Sequence, residues 1–491
     1  MKRIIGALVQ SSVKNRLPLL ARLSNIFSMN TNNKTFQETL SPTPVVASVD
    51  VCVIGGSCTG VFAALRASEA GMRVAIVENN GFFGGTATAG LVPIWHSLYS
   101  TDGKQEIIKG LTRQVIDRLL ENGEATVREK TNPGAYATLS TPGLTTALDE
   151  AMSGNPMIRS FLHARFVSVA MAAPGHVTHA IIEDKSGRRA IAARFFIDAS
   201  GDGDLLVRAG FETWSLPKDQ LQPHTTCALL SGIEQVVAAH PDFSFSEMMR
   251  PQRGAGLKHA YLWATSVVGS PSLRFAALSR VQACNPADAD DLTAGEIEGR
   301  RQVAAFVRAC NREFPVDDAA VRVSAFAACM GLRESRHARC LYTLTEEDVL
   351  RGRVFDDAVA YGTYRVDIHH DGGITFKDLN GQQMVMTADS ETGEVVRTTG
   401  RWCPEGEATA TFYQIPYRSL VPRGSVNVLC AGRMLDCDRG AFGAARVMVN
   451  CNQMGEAAGV AAARYVAEGV AVEDAWRGLK HEAPPSINFW P

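Results

Sequence analysis

Two arginines three residues apart, Arg333 and Arg336, bracket Glu334 and Ser335 in this 491-residue chain. A guanidinium in such a motif can grip a carboxylate through two parallel hydrogen bonds, so one reading is an anion clamp for a substrate. The other is an Arg–Glu ion-pair network that holds a domain together. His369 and His370 follow the strand-like run Tyr364–Ile368. Imidazole titrates near neutral pH, which makes His369 a candidate general acid or base. A solvent-exposed or core-satisfied histidine is the alternative. His96, in the loop after Gly90 that also carries Pro93 and Trp95, is a further candidate.

The glycines point to a second kind of anion chemistry. A diphosphate needs backbone N–H donors, no bulky Cβ in its way and a positive field, and a strand, a Gly turn and a helix N-terminus supply all three. Gly55-Gly56-Ser57-Cys58-Thr59-Gly60 follows the β-rich run Val49–Ile54. Gly55 suits the tight turn, and Gly60 lets the next helix pack closely on the strand. Ser57 replaces the middle glycine of G-x-G-x-x-G, and its hydroxyl can add a phosphate hydrogen bond. Glu78 lies 18 residues after Gly60. A carboxylate there meets the two hydroxyls of an adenosine ribose and disfavours a phosphorylated one.

These residues need particular elements behind them. The spacing predicts a strand over 49–54, a helix over 61–70 stopped by Gly71, and a second strand over 73–78. That is a βαβ unit of about thirty residues, the shape of a dinucleotide-binding half-domain. Helices are expected over 105–122 and 144–152, and strands over 161–171, 177–183 and 190–197. The last strand runs into Asp198-Ala199-Ser200-Gly201-Asp202-Gly203. Beyond Phe211 the Gly-rich signals stop until the buried strand 426–430 and Ala431-Gly432-Arg433. A helix over 443–465 follows. Gly455, Gly459 and Ala462 give it a nearly bare face, suited to close approach to a sheet or a cofactor. The fold class expected is α/β: a discontinuous dinucleotide-binding Rossmann-like domain, 46–210 and 405–470, with an inserted α+β substrate or cap domain, 211–404. A basic extension, 1–45, and a tail, 471–491, flank it.

Composition removes several function classes. Lys plus Arg is 49 and Asp plus Glu is 51, a formal net charge of −2, so no global basic field attracts nucleic acid. Apolar runs fall short of the ~18–20 residues that span a bilayer. The 11 cysteines make no C-x-x-C pair, which argues against zinc or iron–sulfur; no metal site is expected. Small buried hydrophobes in a reducing compartment is the reading for them, and a cytoplasmic location follows. Before Glu38 the chain carries Lys2, Arg3, Lys14, Arg16, Arg22 and Lys34 and no acid. An organellar targeting segment and a start at Met29 are the alternatives to a basic tail.

Several of these stretches together resemble one family. Gly84-Gly85-Thr86-Ala87-Thr88-Ala89-Gly90 looks like the second glycine pair of the FAD-dependent oxidoreductases related to fumarate reductase flavoproteins. Ile197–Asp204 is similar to that family's strand-to-turn segment, with Ser200 for Thr. Gly331–Arg336, Tyr342–Asp348, Asp367-Ile368-His369 and Ile415–Leu420 resemble its central motifs. Ala431-Gly432-Arg433, Arg446-Val447-Met448 and Gly455–Gly459 resemble its closing motif, with Glu456 where Gln is commoner. The resemblance spans roughly residues 50–463.

What it implies is an FAD-binding enzyme. Gly55, Gly56, Ser57, Thr59 and Gly60 would cradle the pyrophosphate. Glu78, beside Asn79, would bind the adenosine ribose. Gly84, Gly85, Thr86 and Thr88 would line the pyrophosphate and ribityl path. Phe166 would offer its backbone to adenine, and Ala199, Ser200 and Gly201 would close over the adenosine side. Gly432 and Arg433 would approach the ribityl chain. A helix N-terminus near Ala445 and Arg446 would face the flavin pyrimidine, where a dipole stabilises negative charge. No histidine adjoins Gly84-Gly85, so nothing suggests a covalent flavin. The expected activity is hydride transfer between FAD and a small organic substrate, with a separate electron donor or acceptor as partner. A monooxygenase or halogenase, and a non-catalytic FAD-binding scaffold, stand beside it as alternatives.

Overall fold

Strand β1 (Val45–Ile54) alternates its side chains between two apolar clusters. Val51 and Val53 face one cluster with helix α1 (Cys58–Glu69), and Cys52 and Ile54 face the other. β2 (Val74–Val77) is buried along its whole length and pairs parallel with β1, Val51 opposite Val74. A strand covered on both faces reads as a continuous run of Val, Ile and Ala, which is what these residues are. A computed structural model describes residues 38, 41–128, 136–248, 262–317, 319–389 and 394–477, apart from the side chains of 246 and 247. The chain falls into two units, Met1–Thr43 and Pro44–Pro491. Most of the expected basic extension and residues 478–491 of the tail lie outside the described residues.

The main sheet continues with β3 (Ile158–Phe161), β4 (Arg165–Ala173), β5 (His176–Asp184) and β6 (Gly187–Asp198). Its seven strands run β3-β2-β1-β6-β5-β4, with Val428–Cys430 pairing parallel to β6. The first half of β6 takes β5 as its antiparallel neighbour. The second half takes Val428–Cys430, Val428 opposite Phe196. The chain therefore leaves the sheet after β6 and returns to it some 230 residues later, as the return of glycine signals at 432 implied.

Between those points lie two four-stranded sheets. β7 (Cys227–Ser231), β8 (Trp263–Val267), β9 (Ser270–Ala277) and β10 (Arg322–Phe326) form one in the order β8-β9-β7-β10. Helix α2 (Ala289–Glu313) places Val303, Phe306, Ala309 and Cys310 against its Ala228 and Leu230. β11 (Val366–His370), β12 (Gly373–Lys377), β13 (Gln382–Ala388) and β14 (Val395–Arg401) make an antiparallel meander. Ala358–Gly362 pairs with Tyr413–Pro416, so the chain on either side of residue 404 shares a sheet.

Three expectations change. The helix expected over 105–122 begins at Gly110, because Glu106 bridges back to Tyr99. The helix expected over 443–465 is two: α3 (Arg439–Ala445) ends on Arg446, and α4 (Met448–Glu468) starts after the extended Val447, φ −67°, ψ 148°. The bare face of α4 lies on α1 rather than on a sheet. A Cβ on Gly455 would sit 2.1 Å from the Thr59 carbonyl oxygen, and one on Gly459 would sit 2.3 Å from that of Ala63.

Candidate active site

The two glycine stretches form one surface. Gly84 N–H donates to the Gly56 carbonyl at 2.9 Å, and a Cβ on Gly85 would meet Ser57 Cβ at 2.8 Å. Gly55 has φ +100°, and a Cβ there would strike the Ala199 carbonyl at 2.4 Å. On Gly60 a Cβ would lie 1.9 Å from the Gly55 oxygen. The first intrahelical bond of α1 runs from Val61 to Ser57, at 2.9 Å. The N–H groups of Cys58, Thr59 and Gly60 therefore point out of the helix end, with no side-chain cap on them. Glu78, 6 % exposed, accepts Gly56 N–H at 2.7 Å, and Asn80 N–H and Nδ2 each at 2.7 Å. Asn79 and Thr86 are exposed. Thr88 is buried, and its hydroxyl donates to Phe83 at 2.6 Å, which stiffens the second turn.

The β6 turn closes over the same surface. Buried Asp198 accepts Ser200 N–H at 3.0 Å, the Ser200 hydroxyl at 2.6 Å and Leu206 N–H at 3.1 Å. Burial raises its carboxyl to about 6, against the pull of those donors. Arg433 pairs with Asp202 at 2.7 Å and donates to Ser335 at 3.2 Å, which puts its guanidinium over Gly201. Gly432, φ +105°, lies against Thr59. Phe166 is half-buried in β4 opposite Ile182.

A second set of polar groups gathers around Asp367 on β11. Its Oδ2 accepts the Tyr364 hydroxyl at 3.0 Å and Arg446 at 3.4 Å. Its Oδ1 lies 3.2 Å from His369 Nε2, close but off the line of a good hydrogen bond. Burial opposes ionisation of Asp367; His369, Arg446 and Arg333 outweigh it and hold the carboxyl well below its ordinary range. Burial pushes His369 down to about 3, His96 to about 4 and His224 to about 4, so these imidazoles are neutral at pH 7. Gln222, fully buried, accepts His369 N–H at 3.2 Å and Arg446 at 3.3 Å. His96 stacks obliquely on Tyr364, ring centres 5.1 Å apart.

The sequence profile of the family described as FAD dependent oxidoreductase matches residues 50–476. The chain belongs to the FAD-dependent oxidoreductase family. FAD is its cofactor, and its seven-stranded sheet is the Rossmann-type sheet of an α/β flavoprotein. No curated protein matches the sequence. Among solved structures it is similar to p-nitrophenol 4-monooxygenase PnpA from Pseudomonas putida DLL-E4. That match is 12 % identical over 88 % of this chain and 84 % of the other, with a TM-score of 0.39. It is also similar to a geranylgeranyl bacteriochlorophyll reductase-like protein from Thermoplasma acidophilum, 12 % identical over 86 % and 80 %, TM-score 0.41.

The residues present fit the dinucleotide. Free helix N–H groups, glycines that no Cβ can replace and a ribose-side carboxylate with acceptor capacity left are what a diphosphate and its ribose need. Glu456, the family departure, pairs with buried Arg66 at 2.7 Å and accepts Leu111 N–H at 3.2 Å, so it ties α1 to α4. The helix N-terminus expected near Ala445 and Arg446 lies at Met448; Arg446 instead reaches Asp367. Of the four substrate-side candidates, Arg333, His369 and His96 converge with Arg446 around Asp367. Arg336 stands apart, 3.5 Å from Asp204. Sequence reading missed Gln222, His224 and Arg280. Gln222 and His224 stand in the mostly polar run Asp219–Thr226, and no motif flags any of the three. Among the described residues no cluster of His, Cys, Asp or Glu could hold a metal, and no helix is long and apolar enough to cross a membrane. All 11 cysteines are free thiols, and all but the half-buried Cys329 are buried.

Proposed function

We propose that this flavoprotein catalyses hydride transfer between a small organic substrate and FAD, with the groups around Asp367 handling the proton. The observation that supports it most is the buried pair itself, with His369 Nε2 held 3.2 Å from the Asp367 carboxylate. Bound FAD supplies the two-electron acceptor or donor. In the oxidative direction a substrate C–H bond breaks, its electron pair leaves as hydride, and the O–H or N–H proton passes to His369. Asp367 balances the imidazolium that forms, and Gln222 anchors the His369 backbone. Tyr364, whose hydroxyl burial keeps protonated, and Arg446 hold Asp367 in place.

Anaerobic mixing of the FAD-loaded protein with a panel of small metabolites tests this. Bleaching of the oxidised flavin band by a substrate, with stoichiometric two-electron product, is the expected result. Product that forms only when oxygen is present would place the chain with the monooxygenases instead. A flavin inert to both would make it a scaffold.

A further inference from the structure

Helices α1 and α4 lie side by side in parallel register. A Cβ on Gly455 would meet the Thr59 carbonyl oxygen, and one on Gly459 that of Ala63, so a step of four along one helix matches a step of four along the other. Both N-termini therefore lie at the same end. Asn452 stands three residues before Gly455 and seven before Gly459, on the stripe of α4 that faces α1. Glu456, four residues on, continues that stripe and pairs with Arg66 of α1. The same register sets Asn452 level with Gly56, just outside Cys58, the first residue of α1. Side chains on a helix lean toward its N-terminus, so the carboxamide leans further out past the end of α1. The N–H groups of Cys58, Thr59 and Gly60 open there, with no side-chain cap.

Asn452 is 1 % exposed, yet neither its Oδ1 nor its Nδ2 has a hydrogen-bond partner among the described residues. Glu456, the next polar side chain on the stripe, is satisfied by Arg66 and by the Leu111 N–H. Asparagine is a weaker helix former than the alanine that fills much of α4, so local structure does not ask for it. Burying an unpaired amide costs its full desolvation. Both effects disfavour asparagine for the fold alone, and both point to a ligand as what the carboxamide serves.

We propose that the Asn452 carboxamide holds the ribityl chain of FAD, with Nδ2 donating to one hydroxyl and Oδ1 accepting from another. The two orphaned atoms select that part of the cofactor. A diphosphate only accepts, so it would leave Oδ1 unpaired, and the open N–H groups of α1 already suit it. A polyol both donates and accepts, which matches a carboxamide either way round. The ribityl chain is also what joins the diphosphate on its flavin side, whereas the ring system lies a whole polyol chain further off. This rests on the FAD cofactor alone and not on the hydride-transfer reading.

Titration of the flavin-stripped, full-length protein with FAD tests the contact without any turnover. Asn452→Leu keeps the side chain's size and removes both polar atoms. It should raise the FAD dissociation constant by on the order of ten- to a hundredfold, the scale of one or two lost buried hydrogen bonds. ADP, which carries the diphosphate without the ribityl chain, should bind variant and wild type alike. So should an FAD analogue whose ribityl hydroxyls are replaced by hydrogen. If the stripped Leu variant has no cooperative melt, Asn452→Ala, smaller and a strong helix former, takes its place in the same three titrations. Unchanged FAD affinity overturns the proposal. A loss shared by ADP marks a diphosphate contact or a damaged fold, and a loss shared by the deoxygenated analogue marks a contact to the flavin ring; either result overturns the ribityl contact.

Discussion

The side-chain oxygen of Gln222 accepts the backbone N–H of His369 at 3.2 Å, across 147 residues of sequence. That bond locks β11 to the segment that leads into β7. Gln222→Leu leaves a buried N–H unpaired and should cost about 1–3 kcal/mol of stability. FAD occupancy should stay at the wild-type level, because Gln222 is not part of the glycine cradle. Substrate-driven flavin reduction should slow by roughly tenfold as His369 and Arg446 lose their shared anchor. Unchanged reduction kinetics in a flavin-replete variant would remove Gln222 from the positioning role.

Gly60→Val should abolish FAD binding. The added Cβ has the Gly55 carbonyl 1.9 Å away, so the turn and helix must separate and the N–H donors lose their convergence. Glu78→Gln is the milder companion. It keeps the shape but removes the charge that accepts Gly56 N–H, and should weaken FAD by about 1–2 kcal/mol. Flavin content after gel filtration and the FAD dissociation constant check both. Normal occupancy in Gly60→Val contradicts the cradle.

Much of the cradle was legible because its logic is local. Gly55, Gly60, Gly84 and Glu78 do their work through turn geometry and short spacing, and those are written in sequence order. The substrate side was not legible for the opposite reason. Arg333 and Arg336 lie three residues apart in a non-helical loop, and only contacts with segments distant in sequence show that one turns toward Pro223 and Thr225 and the other toward Asp204. The break at Arg446–Val447 was hidden by good helix formers on both sides. So was the partner of the α4 glycines, since a bare helix face does not say what will lie on it.

Acid should unfold the protein through its buried imidazoles. The folded values of His224 and His369, about 4 and about 3, lie below the unfolded value of about 6.5. Between those limits the unfolded chain binds more protons, so stability is constant above pH 6.5 and falls as pH drops toward 4. At pH 4.5 each imidazole accounts for about 2–3 kcal/mol of that loss. Asp198, raised to about 6, works in the opposite sense: its contribution is full below about 4 and is lost as pH rises through 6. His224→Gln should flatten the fall of Tm between pH 6.5 and 4.5 even if it lowers Tm throughout. A slope identical to wild type would mean His224 is not titrating across unfolding.

The central claim is that Asp367 and His369 serve the chemical step of flavin reduction. Anaerobic stopped-flow reduction of Asp367→Asn by the best substrate tests it most directly. Asparagine keeps the size and the Tyr364 contact but cannot balance an imidazolium. The account predicts a variant with full FAD content and a Tm within a few degrees of wild type, whose flavin bleaches about a hundredfold more slowly, ~2.7 kcal/mol of transition-state stabilisation. Bleaching at the wild-type rate in that flavin-replete variant would contradict it.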